Sequence, residues 1–145
     1  MARRQVWTLR GVVNYIRGQN KTDSKPLEGI PPISGRLSLR YGLENGPWSV
    51  EGVVRASAHR SRVDPATERE RPGYTALDLY ANADLGQLID GRFKNWKAVV
   101  GIQNVFDQKI VNPVIAESLA YSTRLVGNPL LEPGRTFMVR LIQDY

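Results

Sequence analysis

Six stretches of the 145-residue chain alternate apolar and polar side chains with a period of two, the signature of strands with one apolar and one polar face. In the first, Trp7, Leu9, Gly11, Val13 and Tyr15 share one face, and Thr8, Arg10 and Asn14 the other. Leu37, Leu39, Tyr41 and Leu43 alternate with Arg36, Ser38, Arg40 and Gly42; then Trp48, Val50, Gly52, Val54, Ala56 and Ala58 alternate with Ser49, Glu51, Val53, Arg55, Ser57 and His59. Glu44-Asn45-Gly46-Pro47 between these two runs predicts a tight turn and a hairpin. The fourth stretch sets Leu77, Leu79, Ala81, Ala83 and Leu85 against Asp78, Tyr80, Asn82 and Asp84, and the fifth sets Trp96, Ala98, Val100 and Ile102 against Lys97, Val99, Gly101 and Gln103. Phe137, Val139, Leu141 and Tyr145 alternate with Thr136, Met138, Arg140 and Asp144 in the sixth. The predicted strands cover approximately 5–17, 35–43, 48–60, 74–85, 96–106 and 135–145. Helical periodicity is nowhere sustained over three turns, and a short helix has room only within 114–125.

The connections differ systematically in length. Short ones at 44–47 and 86–95 alternate with long ones at 18–34, 60–73 and 107–133. An up-and-down barrel of the outer membrane has this asymmetry, with short turns toward the periplasm and long loops outside, so the last strand is expected to run inward and leave Tyr145 at the periplasmic rim. The smallest bacterial barrels have about 8 strands, so an antiparallel meander of about six transmembrane strands is expected to be the C-terminal part of a larger barrel. A soluble β-sandwich produces the same alternation. Aromatic residues near strand ends (Trp7, Tyr15, Trp48, Tyr74, Trp96, Phe106, Phe137 and Tyr145) favour the barrel, because amphipathic rings settle at membrane interfaces.

Composition adjusts this picture only slightly. With 41% hydrophobic and 23% charged residues the chain belongs among ordered proteins. No run approaches the ~20 apolar residues of a membrane-spanning helix, a test that barrel strands escape. No apolar core follows Met-Ala-Arg-Arg-Gln, so a secretory signal is expected upstream of Met1. The net charge of +6 suits nucleic acid, lipopolysaccharide or an anionic ligand. Arginines dispersed through the alternating stretches, with no basic tail or helix face, argue against nucleic acid. There is no Ser-His-Asp arrangement, no metal-ligand spacing and no phosphate-cradling glycine loop, so neither an enzyme, a metal site nor a cofactor is expected. Cysteine is absent, which excludes disulfides.

Specific words stand at the strand ends. Asn104-Val105-Phe106-Asp107 resembles the Asn-Leu-Phe-Asp signature of TonB-dependent receptors, and Pro133-Gly134-Arg135-Thr136-Phe137 resembles the Pro-Gly-Arg-Thr-Phe that opens their last strand. Gly73-Tyr74-Thr75-Ala76-Leu77-Asp78-Leu79 and Pro26-Leu27-Glu28-Gly29-Ile30-Pro31-Pro32 resemble further segments of siderophore and haem receptors of that family, so the resemblance spans about residues 5–145. Each word also has a plain physical reading: Asn and Asp end strands by bonding local backbone, and Pro-Gly turns. The chain departs from the family pattern at Val105, where Leu is usual, at Ile110, at Gln143 on the apolar face of the last strand, and at Tyr145, where many members end in Phe.

The resemblance implies part of a 22-stranded receptor barrel in the outer membrane of a Gram-negative bacterium, serving energised uptake of a ferric siderophore or haem. In such a receptor the remaining barrel, an N-terminal plug and the energy-coupling protein TonB complete the machinery; the plug is absent here, and the segment is not expected to transport alone. It also implies that Phe137, Val139, Leu141 and Tyr145 resemble the C-terminal signal read by the barrel assembly machinery. Arg60, Arg62, Arg69 and Arg71, in a loop expected to face outward, are candidates for haem propionates, anionic siderophores or lipopolysaccharide phosphates. Asp64, Glu68 and Glu70 are interleaved with them, which better fits a solvated loop of mixed charge. His59 is a candidate haem ligand, although a lone histidine is more often a hydrogen-bonded lumen residue. A soluble β-sandwich binding an anionic partner and a truncated, inactive gene product are the two alternatives.

Overall fold

The computed structural model describes residues 4–22, 24–27, 29–64, 70–89, 91–111 and 131–144. Its strands are β1 (Gln5–Asn14), β2 (Ser34–Leu43), β3 (Trp48–Ser57), β4 (Tyr74–Asp84), β5 (Trp96–Gln103) and β6 (Thr136–Gln143). They form one antiparallel sheet in chain order, each strand paired with its sequence neighbours. The described strands therefore make a single meander, and the second sheet that a sandwich requires is not among them. No helix of the described residues is long and apolar enough to cross a membrane, a test that says nothing of a β-barrel.

Register decides which face is which. Leu9, Leu39, Gly52, Leu79, Ile102 and Phe137 lie opposite one another in a row across all six strands. Leu9 is 67% exposed, Leu39 45%, Leu79 43% and Phe137 73%. One residue along, on the other face, the row Ser38, Val53, Asp78 is 6%, 0% and 3% exposed. A sheet in a soluble domain buries its apolar face. Here the apolar face is open and the polar face is crowded, as on the concave side of a sheet curving into a barrel whose outside meets lipid.

The short-turn ends are closed by residues suited to tight geometry. Asn45 has φ +50°, and a Cβ on Gly46 would stand 2.2 Å from the Cβ of Leu43, so the β2–β3 turn admits only glycine there. On the apolar face beside this turn, Trp7 and Tyr41 pack with ring centroids 4.4 Å apart and Tyr41 and Trp48 with centroids 5.8 Å apart. That cluster has the composition of an interfacial girdle.

Several details differ from the sequence reading. The strands stop short at the long-loop end: β1 at Asn14, β3 at Ser57 and β5 at Gln103. The connection after β4 holds a one-turn helix, α1 (Leu85–Leu88), followed by a 3-10 turn at Gly91–Phe93. The Asp84 carboxylate accepts the Gln87 N–H at 3.1 Å and caps α1, so Leu85 opens a helical turn instead of extending the apolar face of β4. Tyr74 pairs with Ser57 and so lies on the polar face, which removes it from the interfacial rings. The 114–125 segment, Arg69 and Tyr145 lie outside the described residues.

Candidate functional site

At the long-loop end of the polar face, residues from three of the sequence words converge. Arg55 on β3 donates from Nε to Asp78 Oδ2 at 2.7 Å and from Nη2 to Asp78 Oδ1 at 3.4 Å, a forked contact with β4. Asp78 Oδ1 also accepts the backbone N–H of Asn104 at 2.9 Å, tying the end of β5 into the same carboxylate. Arg55 Nη1 reaches Glu132 at 3.5 Å, on the segment that returns to β6. Asp78 and Asn104 are both buried. A buried carboxylate is costly unless its lone pairs are satisfied, and here three donors satisfy it.

The Asn-Val-Phe-Asp word builds the turn that leaves β5. Asn104 and Asp107 have φ of +51° and +53°, left-handed backbone that Asn and Asp tolerate better than other residues with a side chain. Asn104 exchanges two hydrogen bonds with the backbone of Gln108, through Nδ2 at 2.8 Å and Oδ1 at 3.0 Å. The Val105 N–H bonds the Leu77 carbonyl at 2.8 Å, which Val serves as well as Leu. Asp107 then takes the second word: its Oδ1 accepts the Arg135 N–H at 2.7 Å. A Cβ on Gly134 would stand 2.4 Å from that oxygen, so the Pro-Gly-Arg sequence needs glycine for the carboxylate to approach. Asn104, Asp107, Gly134 and Arg135 thus form a structural clasp through backbone contacts. Phe106 and Phe137, by contrast, are exposed. Glycine at 73 has a similar reason, since a Cβ there would lie 2.6 Å from the Ser57 carbonyl oxygen.

The candidates in the β3–β4 loop separate. Arg60 and Arg71 are buried, at 3% and 6% exposure, which corrects the expectation of a solvated loop at these two residues. They pair backbone to backbone, Arg60 N–H to Arg71 carbonyl at 2.9 Å and the reverse at 3.2 Å. The loop from β1 meets this loop where Lys25 bonds Asp64 at 2.8 Å. Arg62 is exposed. His59 is exposed, with Nε2 3.2 Å from Glu70 Oε2. His59, Arg60 and Arg62 share the wall of an open cleft of about 310 Å³ with Ile16, Leu27 and Ile30. Among the described residues no group of three or more His, Cys, Asp or Glu could hold a metal ion. The Arg55–Asp78–Glu132 bridge went unrecognised in the sequence, although Asp78 inside the third word was a signal.

The model of the family TonB dependent receptor-like, beta-barrel matches residues 2–105 of the chain. The chain belongs to that family. Of the words that suggested this, the Pro133–Phe137 segment lies beyond the matched residues. Among solved structures the receptor segment is similar to one titled "Copper transporter OprC", with a TM-score of 0.76 and 24% identity over 93% of this chain. At that identity the likeness carries the fold alone. The segment spans 20% of that transporter's length. No curated protein matches it in sequence. Receptors of this family reside in the outer membrane and transport without enzymatic chemistry, so the reading as a non-enzyme stands.

Proposed function

We propose that this receptor segment forms part of the wall of a 22-stranded barrel that takes up a ferric siderophore or haem across the outer membrane of a Gram-negative bacterium, with TonB delivering the energy. The observation that carries the reading is the inverted sheet: apolar rows open to the outside, a crowded ionic face within, and long loops gathered at one end. The segment contributes wall, short turns and three outer loops, so transport belongs to the complete receptor with its plug and remaining strands. In that barrel the alternating ridge Phe137, Val139 and Leu141, all exposed, serves together with Tyr145 for recognition by the assembly machinery. Iron rests on the frequency of iron cargo in the family; the copper of OprC is said of OprC.

Growth decides the cargo. A strain whose only receptor is the one carrying this segment should grow under iron limitation on a ferric siderophore or on haem, and should stop when TonB is removed. Unchanged growth on both after deletion of the receptor would overturn the iron reading.

A further inference from the structure

Charge is distributed unevenly across the inner face of the sheet. β1 and β2 carry no acidic residue, and their arginines, Arg10, Arg36 and Arg40, all have the parity of the polar row. Arg36 lies opposite Val12, Arg10 opposite Ser38 and Arg40 opposite Thr8, so the three step from one strand to the other along the ladder. Each step covers two residues and one strand spacing, about 8 Å between Cα atoms, and the file from Arg36 to Arg40 runs about 14 Å. It descends from the long-loop end toward the short turns.

These guanidinium groups are available. All three residues are exposed, and none has a side-chain partner among the described residues. Arg55, opposite Arg36, differs, because Asp78 and Glu132 balance its charge. On the acidic side, Asp78 is engaged by Arg55 and Asp84 by Gln87, and Glu51 stands opposite Arg40 with no ion pair between them. Three cations against one carboxylate give the β1–β2 wall a positive potential, which low-dielectric walls focus into the space they enclose. Thr8 and Ser38, the residues facing Arg40 and Arg10 across the ladder, are short, so the guanidinium groups stand clear of the wall.

We propose that Arg36, Arg10 and Arg40 form a track on the lumen wall that selects a cargo of net negative charge, whose carboxylate or phenolate oxygens pass the three guanidinium groups in succession. The inference rests on the uptake reading above and names the charge class of its cargo. Compact ligands at rest are held in concave sites. Cations in single file along the strand direction, on open wall, match instead a ligand that moves past them.

The test uses the complete receptor carrying this segment, as the sole receptor of its class in an iron-starved strain. Uptake of radioactive iron is measured from four probes: haem, a ferric tricatecholate and a ferric hydroxycarboxylate chelate, which are anionic, and a ferric trihydroxamate, which is neutral. An anionic probe should enter fastest. For that probe, Arg10→Gln, Arg36→Gln and Arg40→Gln together should lower the uptake rate at least about tenfold at equal receptor levels, the low end of what a charged cleft contributes to association. Arg10→Lys, Arg36→Lys and Arg40→Lys together should keep most of the rate, because the track acts through charge and not through a bidentate fork. Fastest uptake of the neutral trihydroxamate, or wild-type uptake of the anionic probe by the triple Gln variant, would overturn the proposal. So would a triple Gln variant that becomes sensitive to a bulky neutral antibiotic, since the arginines would then be holding an acidic protein segment inside the barrel. Uptake of the neutral chelate alone defeats this inference and leaves the uptake reading standing; uptake of none of the four defeats both.

Discussion

Removing the Asp78 side chain tests the clasp at the long-loop end. Asp78→Ala leaves the Asn104 N–H without its acceptor at a site only 2% exposed, a loss of about 1–3 kcal/mol. It also strips Arg55 of a partner. Breaking a buried pair costs about 3–5 kcal/mol, but the Arg55 side chain is 27% exposed and keeps Glu132 at 3.5 Å, so about 1–2 kcal/mol is the fitting share. The sum is about 3 kcal/mol. Arg55→Ala strands a carboxylate whose side chain is 4% exposed and should cost a similar amount, about 3 kcal/mol. The double variant has neither stranded charge, so it should cost about 2 kcal/mol less than the two singles together. The assay is equilibrium unfolding in urea of the complete receptor reconstituted in lipid, run as a double-mutant cycle. Additivity within about 0.5 kcal/mol, with Asp78→Ala itself below 1 kcal/mol, would refute the claim that this bridge ties β3, β4 and β5 together.

Three further perturbations address other parts of the account. Gly134→Ala should cost about 1–3 kcal/mol in the same unfolding assay, because its Cβ would meet the Asp107 carboxylate, and Asp107→Ala in the same molecule should recover part of that loss. Asn104→Ala should destabilise by about 1–2 kcal/mol through the left-handed backbone alone and further through the two lost bonds to Gln108, whereas Asn104→Gly should restore the backbone share. Leu39→Arg, in the middle of the outward rows, should cost about 2–4 kcal/mol in lipid vesicles and lower assembly into the outer membrane; a neutral or stabilising effect would mean that the position faces water.

Alternation was sufficient for the six strands because each presents two environments of opposite polarity, and a period of two records that difference along the chain itself. It also contained the correct place of Tyr74, which has the parity of Asp78 and not of Leu77. The clasp was not legible in this way. Arg55 lies 23 residues from Asp78 and 77 from Glu132, and their meeting depends on register and on the turn after β5. Arg60 and Arg71 are buried where they bridge beyond the end of the β3–β4 ladder, and charge interleaved with Asp and Glu in sequence carries no trace of that burial. The words around Asn104 and Gly134 were visible as family marks. Their physical basis, two left-handed residues and a missing Cβ, lies in the folded backbone and leaves no mark in the sequence pattern.

Which face of the sheet meets lipid is the central point, and with no cysteine in this chain it can be measured by labelling once the rest of the receptor is made cysteine-free. Single cysteines placed successively along β2 and β4, from Leu37 to Tyr41 and from Leu77 to Ala81, carry a nitroxide label in the receptor reconstituted in bilayers. Collision with lipid-soluble oxygen should peak at Leu37, Leu39, Tyr41, Leu77, Leu79 and Ala81, and collision with a water-soluble nickel chelate should be low there, with a period of two and the two profiles out of phase. Outward positions reached by the chelate as readily as the polar ones would contradict the lipid-facing sheet, and with it the membrane barrel.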